Sequence, residues 1–224
     1  MFVISVAGNP EEVALILETV AGRREEMVII QGTPYPTVGY YDETPAGREM
    51  ALTQSARDLA STLSRRGRPA LALSGRDTGI LQMGANRISR AVQAVNSFTL
   101  EALLQHGLTP VVAPVAWAQP LALEVEAPQA AAAIAAAMGG IFVNLTDLEL
   151  EPRSLSLSEA MAISHEAGYA ASLVQSLNWA LGSLRWGACG AILASSHSDL
   201  EAVLQGRDGW RIVADTNSSF NILS

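Results

Sequence analysis

The chain has 224 residues and a mass of 23.6 kDa, long enough for one well-buried core, so a single domain over 1–224 is expected. It is 49% apolar and 16% charged, a composition that excludes a disordered chain. The net charge of −8 and an isoelectric point near 4.9 exclude a nucleic-acid-binding face, because neutralising phosphates takes clustered cations.

All 14 basic residues are arginines, so no mechanism that needs a lysine can operate here. A single cysteine, Cys189 in WGACGAIL, excludes an internal disulfide and fits a reducing, cytoplasmic setting; its apolar context predicts a buried structural thiol. The opening MFVISVAGNPEE has no basic stretch and turns acidic at once, unlike a signal peptide. The longest apolar run, Ala130 to Val143, spans 14 residues of mostly Ala and Gly, too short to cross a bilayer. Neither a membrane nor a nucleic acid is an expected partner.

In chain order, FVISVA is a short apolar strand closed by Gly8-Asn9-Pro10, and PEEVALILETVAG an amphipathic helix with acids in its first turn. EMVIIQG is a second strand, followed by a loop rich in Pro, Gly and Tyr that ends in Thr44-Pro45, an N-cap followed by proline. The helix AGREMALTQSARDLASTLSRRG stops at Gly67, with Arg65 and Arg66 suited to its C-terminal dipole. PALALSG is a strand, and RDTGILQMGANRISRAVQAVN reads as short strands or a hairpin. SFTLEALLQHG is a helix capped by Ser97, and TPVVAPVAW one strand. The alanine tract forms the next helix, IFVNLTD a strand, and SLSEAMAISHEAG and YAASLVQSLNWALGSLRWG two helices. CGAILAS, HSDLEAVLQG and GWRIVAD close the chain as strand, helix and strand. Alternating strands and helices predict an α/β fold, an open and mainly parallel sheet between helices on both faces. Ligands in such sheets sit beyond the carboxyl ends of the strands, so the loops there are the places to look.

Three stretches resemble the amino acid kinase family in order and spacing. They are LALSGRDTGIL, AVQAVNSFTLEALLQHGLTPVVAPVAW and LEVEAPQAAAAIAAAMGGIFVNLTDLE. Within that family the look is of the acetylglutamate kinases. The pattern includes a Ser-Gly-x-Asp-Gly loop and Val-Asn before a helix. An Asn-x-Asn-Ala-Asp turn leads into an alanine-rich helix, and a Leu-Thr-Asp strand end follows. The resemblance implies an αβα sandwich whose N-terminal part serves substrate and dimer contacts and whose C-terminal part serves nucleotide. It also implies a homodimer paired through the helix over 46–65 (Arg48 through Leu63), a role in arginine or lysine biosynthesis, and transfer of a phosphoryl group from ATP with Mg²⁺ to a carboxylate. A carboxylate acceptor is already ionised and needs no general base, so the work is positioning and charge neutralisation.

The family's charged groups do not carry over. By resemblance its first lysine falls on Ser5, and the Gly-Gly after it on Ala7-Gly8. The Gly-Gly-Gly turn falls on Gly32-Thr33-Pro34, and the substrate arginine near Tyr40 or Tyr41. The Asn-x-Asn-Ala-Asp turn reads Glu124-Val125-Glu126-Ala127-Pro128, so both asparagines are acids and the organising aspartate is a proline. The late-helix lysine falls on Leu173 or Val174. Gly75, Asp77, Val95, Asn96, Thr146 and Asp147 keep the pattern.

The resemblance therefore points to Gly32, Thr33, Tyr41, Glu124 and Glu126 as substrate-side residues. It points to Gly8, Thr146 and Asp147 as nucleotide-side ones. It leaves the catalytic positions on Ser5, Pro128 and Leu173. Glu124 and Glu126 equally fit a plain helix start, Asp77 a turn hydrogen bond, and the tyrosines a loop packed on itself. Arg76, Arg87 and Arg211 are the candidates for replacing lost lysines. His106, His165 and His197 lack metal-ligand spacing, and Trp179 and Trp186 share one helix as packing or interface residues. The expected function is a small-molecule-binding, catalytically degenerate member of the family, or a partner of an active homologue. The alternative is an active phosphotransferase acting on an N-acyl amino acid, in which arginines replace the lysines.

Overall fold

A computed structural model of the chain describes residues 1–19, 25–32, 44–84, 91–118 and 121–213. The first strand, β1 (Phe2–Val6), is buried throughout. Helix α1 (Pro10–Glu18) follows, its N-cap Asn9 accepting from the Glu11 amide at 2.9 Å, with Pro10 at its first position. β2 (Met27–Gln31) is also fully buried. α2 (Pro45–Arg65) starts as the sequence predicts: the Thr44 hydroxyl accepts from the Gly47 amide at 3.1 Å. β3 (Ala70–Ser74), β4 (Leu81–Met83) and β5 (Val92–Val95) come next, then α3 (Phe98–Gln105). Beyond it lie β6 (Thr109–Ala113), β7 (Val115–Ala118), β8 (Leu121–Glu124), α4 (Ala127–Met138) and β9 (Ile141–Thr146). The last third runs β10 (Arg153–Ser156), α5 (Leu157–His165), α6 (Ala171–Arg185), β11 (Gly190–Ser195), α7 (Leu200–Leu204) and β12 (Trp210–Val213).

Eight strands form the main sheet in the order β10-β12-β11-β9-β1-β2-β6-β3, parallel except for the β11–β12 pair. Side chains alternate between its faces. Val3, Ile30, Val112 and Phe142 pack with α4, α5 and α6 on one face; Ile4, Ile29, Val111 and Val143 pack with α1, α2 and α7 on the other. This is the expected helix–sheet–helix sandwich.

Several readings change. TPVVAPVAW is two strands in different sheets, because Pro114 has no N–H to continue the ladder. β7 instead joins a second sheet, β5-β4-β7-β8, that the alternating pattern does not announce. In it Val115 pairs with Glu124, so Glu124 ends a strand rather than sitting in a turn before the helix. Ser97 places no side-chain bond on the α3 amides; the neighbouring Asn96 Oδ1 accepts from the Phe98 amide at 3.3 Å, while the Ser97 hydroxyl turns to Glu101. Cys189 is exposed, because it lies in the turn leading into β11 rather than in the strand.

Candidate functional site

β1 lies between β2 and β9; β2 is reached through α1 on one face of the sheet and β9 through α4 on the other. A crevice therefore opens beyond the carboxyl ends of these strands. It is a cleft of about 780 Å³. Its floor holds Ser5 and Asn144, which are register partners on β1 and β9 and so share one sheet face. The end of β8 and the first turn of α4 form one wall, and Arg48 of α2 reaches in from another.

Glycine is needed where β2 ends. A Cβ on Gly32 would lie 3.0 Å from both the Ala127 Cβ and the Val6 carbonyl oxygen, so only glycine lets α4 come this close. The Gly32 amide donates to that same Val6 oxygen at 2.8 Å. Gly8, with φ at 119°, turns the chain after β1, and its carbonyl accepts from Gln31 Nε2 at 3.1 Å. The two glycine loops are thus tied together at the head of the cleft.

Polar groups in the cleft divide by what they have left to offer. Asn144 is 3% exposed and spends its amide nitrogen on Ser176 Oγ at 3.2 Å. Ser5, also 3% exposed, has no hydrogen-bond partner for its hydroxyl among the described residues. Glu126 occupies the N-cap position of α4 but makes no side-chain cap; its Oε2 accepts from Gln175 Nε2 at 2.7 Å. Glu124 stands 3.9 Å from Arg48 with both side chains well exposed, a separation and a setting in which an ion pair contributes little.

Ser5, Gly32, Glu124, Glu126 and Pro128 therefore converge on one cleft. Thr33 and Tyr41 lie outside the described residues, as do Tyr40 and Arg87. Thr146 and Asp147 sit at the end of β9 facing β11, where the Ser196 amide donates to the Thr146 carbonyl at 2.7 Å and its hydroxyl to Asp147 Oδ1 at 3.3 Å. Neither lines the cleft, nor does Gly8. Leu173 is 7% exposed within the core between α4, α5 and α6. Arg48, Asn144, Gln129 and Trp179 line the cleft without having been singled out for it. A polar residue near the end of the apolar strand IFVNLT was a readable signal for Asn144; a helix-surface arginine gave none for Arg48.

Among the described residues the cleft lining carries few donors for a transferring phosphoryl group. Among the described residues Arg48 is the only cation lining the cleft, against Glu124 and Glu126. Arg76 is held by Glu49 at 2.7 Å and stands over the Trp117 ring, and Arg211 projects from β12. No group of three His, Cys, Asp or Glu among the described residues could hold a metal ion, and no described helix is long and apolar enough to cross a membrane.

No protein-family model matches the chain. It is 36% identical to an acetylglutamate kinase of Thermus thermophilus over 176 residues, covering 72% of this chain and 70% of that one. It is 35% identical to an acetylglutamate kinase of Deinococcus radiodurans, covering 74% and 72%. Among solved structures, an N-acetylglutamate synthase from Neisseria gonorrhoeae complexed with coenzyme A and N-acetyl-glutamate matches 96% of this chain with a TM-score of 0.77 at 17% identity. The match spans 59% of that longer protein. Carbamate kinase from Giardia lamblia bound to AMP-PNP matches 96% of this chain and 98% of its own, with a TM-score of 0.69 at 15% identity. The two structures share the fold, and the two acetylglutamate kinases share sequence over most of both chains: this protein belongs to the amino acid kinase family, as an acetylglutamate-kinase-like member.

Proposed function

We propose that this chain is a catalytically silent acetylglutamate-kinase-like protein that keeps the family's cleft to bind a small molecule. The observation that carries the reading is Ser5. It stands on the cleft floor where the resemblance places a lysine, and Glu124 and Glu126 face the same space. Moving a phosphoryl group onto a carboxylate crowds anions together, and the protein's part is to neutralise them. Losing one preorganised charge-stabilising donor costs about 3–4 kcal/mol, or roughly 10²–10³ in rate. Here two lysines and an aspartate are replaced by Ser5, Leu173 or Val174, and Pro128, and two carboxylates are added. Groups that act as a unit do not sum, but each loss points the same way.

A second reading is favoured by Arg48, a cation in the cleft: an active phosphotransferase that uses ATP and Mg²⁺ on an N-acyl amino acid. Incubating the protein with ATP, Mg²⁺ and N-acetylglutamate decides between the two. The silent reading expects ADP release no faster than the blank, and sustained turnover overturns it.

The remaining parts of the proposal rest on the family. The whole chain acts as one unit in the cytoplasm, in arginine or lysine biosynthesis, with a substrate and dimer lobe followed by a nucleotide lobe. It pairs with a copy of itself or a homologue through α2, whose outer face leaves Met50 62% exposed. Light scattering at the mass of a monomer would count against that pairing.

A further inference from the structure

We infer that this protein carries a second small-molecule site, beside the cleft, for a neutral aromatic compound bearing a hydrogen-bond acceptor. It is a cavity of about 280 Å³ between α4, α6 and β5, and Trp179 lines both it and the cleft. None of its described lining residues is ionisable. A charged ligand would lose its hydration there with no counter-charge in return, so the cavity selects a neutral body. Trp179 and Trp186 bring two indole rings to it, and Trp186 is 73% exposed. Aromatic rings pack on one another offset or edge to face, which favours a flat aromatic guest. An apolar cavity of roughly 150 Å³ holds a benzene, so this one has room for a substituted ring.

Two independent observations point to a ligand. The first is Trp179 Nε1, a buried donor that water does not reach and that has no acceptor among the described residues. Leaving such a group unmet is costly. The indole turns about two bonds, and the cavity gives it room to bring Nε1 to an acceptor on the ligand. An indole nitrogen only donates, so the ligand's polar group is an acceptor, such as a ketone oxygen. Ser183 on the same lining spends its hydroxyl on the Ala180 carbonyl at 2.7 Å, which leaves the anchoring to Trp179. The second observation is Gly182, well inside α6. Its backbone is not left-handed, and a Cβ there would meet nothing within 4 Å. Neither conformation nor packing within the chain asks for glycine, which weakens a helix interior relative to alanine. What the glycine leaves is open space on the cavity wall, continued by Ala133 and Ala136 of α4, where larger side chains would fill it.

Nitrogen-15 NMR titration of the full chain tests this with three probes of similar shape: acetophenone, which has the acceptor, ethylbenzene, which lacks it, and benzoate, which is charged. Acetophenone is expected to shift the amides of Ala133, Ala136 and Gly182 and to move the Trp179 indole N–H downfield. Ethylbenzene should bind about fivefold more weakly, the worth of one hydrogen bond, and benzoate should leave these signals in place. Trp179→Phe keeps a ring and removes the donor. It identifies the indole signal by its loss and should make acetophenone and ethylbenzene bind alike. Gly182→Leu fills the cavity and should abolish binding without lowering the unfolding midpoint, because leucine favours a helix and its Cβ meets open space. Ethylbenzene or benzoate binding as tightly as acetophenone, undiminished binding to Gly182→Leu, or no shift at these amides would each overturn the inference. Shifts gathered at Ser5, Arg48 and Glu124 instead would put the compound in the cleft and overturn it equally.

Discussion

The side-chain amide of Asn96 donates to the carbonyl oxygen of Thr78 at 2.9 Å, and Thr78 is the one non-glycine residue with positive φ, at 50°, among the described residues. A β-branched residue there is strained by about 1–2 kcal/mol. The same turn is held by Asp77, whose Oδ2 accepts from the Ser74 amide at 2.8 Å, and by a 2.8 Å contact between the Thr78 and Thr99 hydroxyls. Thr78→Gly should therefore raise stability by up to about 1 kcal/mol, the strain relieved less an exposed hydroxyl contact. Asn96→Ala should cost about 1–2 kcal/mol, because Asn96 also accepts from the Phe98 amide at the start of α3. Urea unfolding of the two variants reads opposite signs; a destabilised Thr78→Gly would mean the turn carries no strain.

Helix starts give a paired comparison. Thr44 caps α2 through its hydroxyl, whereas Glu126 occupies the same place before α4 and sends its carboxylate to Gln175. Thr44→Ala should cost about 1 kcal/mol, and Glu126→Ala less than about 0.5 kcal/mol. Equal losses in denaturant midpoint would show that Glu126 supports the helix after all.

These pairs show what was legible. Thr44-Pro45 before an amphipathic run announces a helix because the capping chemistry is local, and β1, β2, β6 and β11 announce the main sheet because each is buried on both faces. β8 escaped because LALE is four residues long and its place is fixed by pairing with β7, a tertiary relation. The cleft was half legible. The resemblance gathered Ser5, Gly32, Glu124, Glu126 and Pro128 from three distant stretches, and the fold brings them together. Arg48 was not legible, since nothing in a solvated helix says which end of the sheet it overhangs. Whether Glu126 capped its helix could not be read either, because its partner Gln175 lies 49 residues away.

Acid should loosen one helix start selectively. Ser156 and Glu159 form a capping box before α5, with the Ser156 amide and hydroxyl each donating to Glu159 Oε2 at 2.8 Å. These bonds from Ser156, with a smaller contribution from Arg153, hold the Glu159 carboxyl below the usual carboxylate range. A carboxyl depressed in the folded state adds stability that is present above its unfolded value, and loses it as pH falls through the folded one. The Glu159 carboxyl and the Ser156 amide should therefore titrate together, below 4.5, when followed by NMR. Ser156→Ala should move the inflection back up; an unmoved inflection would assign the depression to something other than the box.

Arg68 separates the framework from the cleft. It is 8% exposed, its Nε donates to Thr109 Oγ1 at 2.9 Å, and its Nη2 donates to the Glu25 carbonyl at 3.0 Å. It thereby ties the turn after α2 to β6 and to the lead-in of β2. Burial lowers its proton affinity while the Glu25 charge raises it, but an arginine stays protonated under any ordinary condition. Removing it strands buried acceptors that were chosen for a cation, so Arg68→Met should cost about 3 kcal/mol. Thr109→Val removes one acceptor and should cost about 1 kcal/mol, less than the arginine, because the bond to Glu25 survives. Arg48→Met, by contrast, removes an exposed cation paired loosely with Glu124 and should leave stability within about 0.5 kcal/mol. Denaturant unfolding of the three variants gives the ranking, and an Arg48 variant as damaged as the Arg68 one would show that the cleft arginine belongs to the framework.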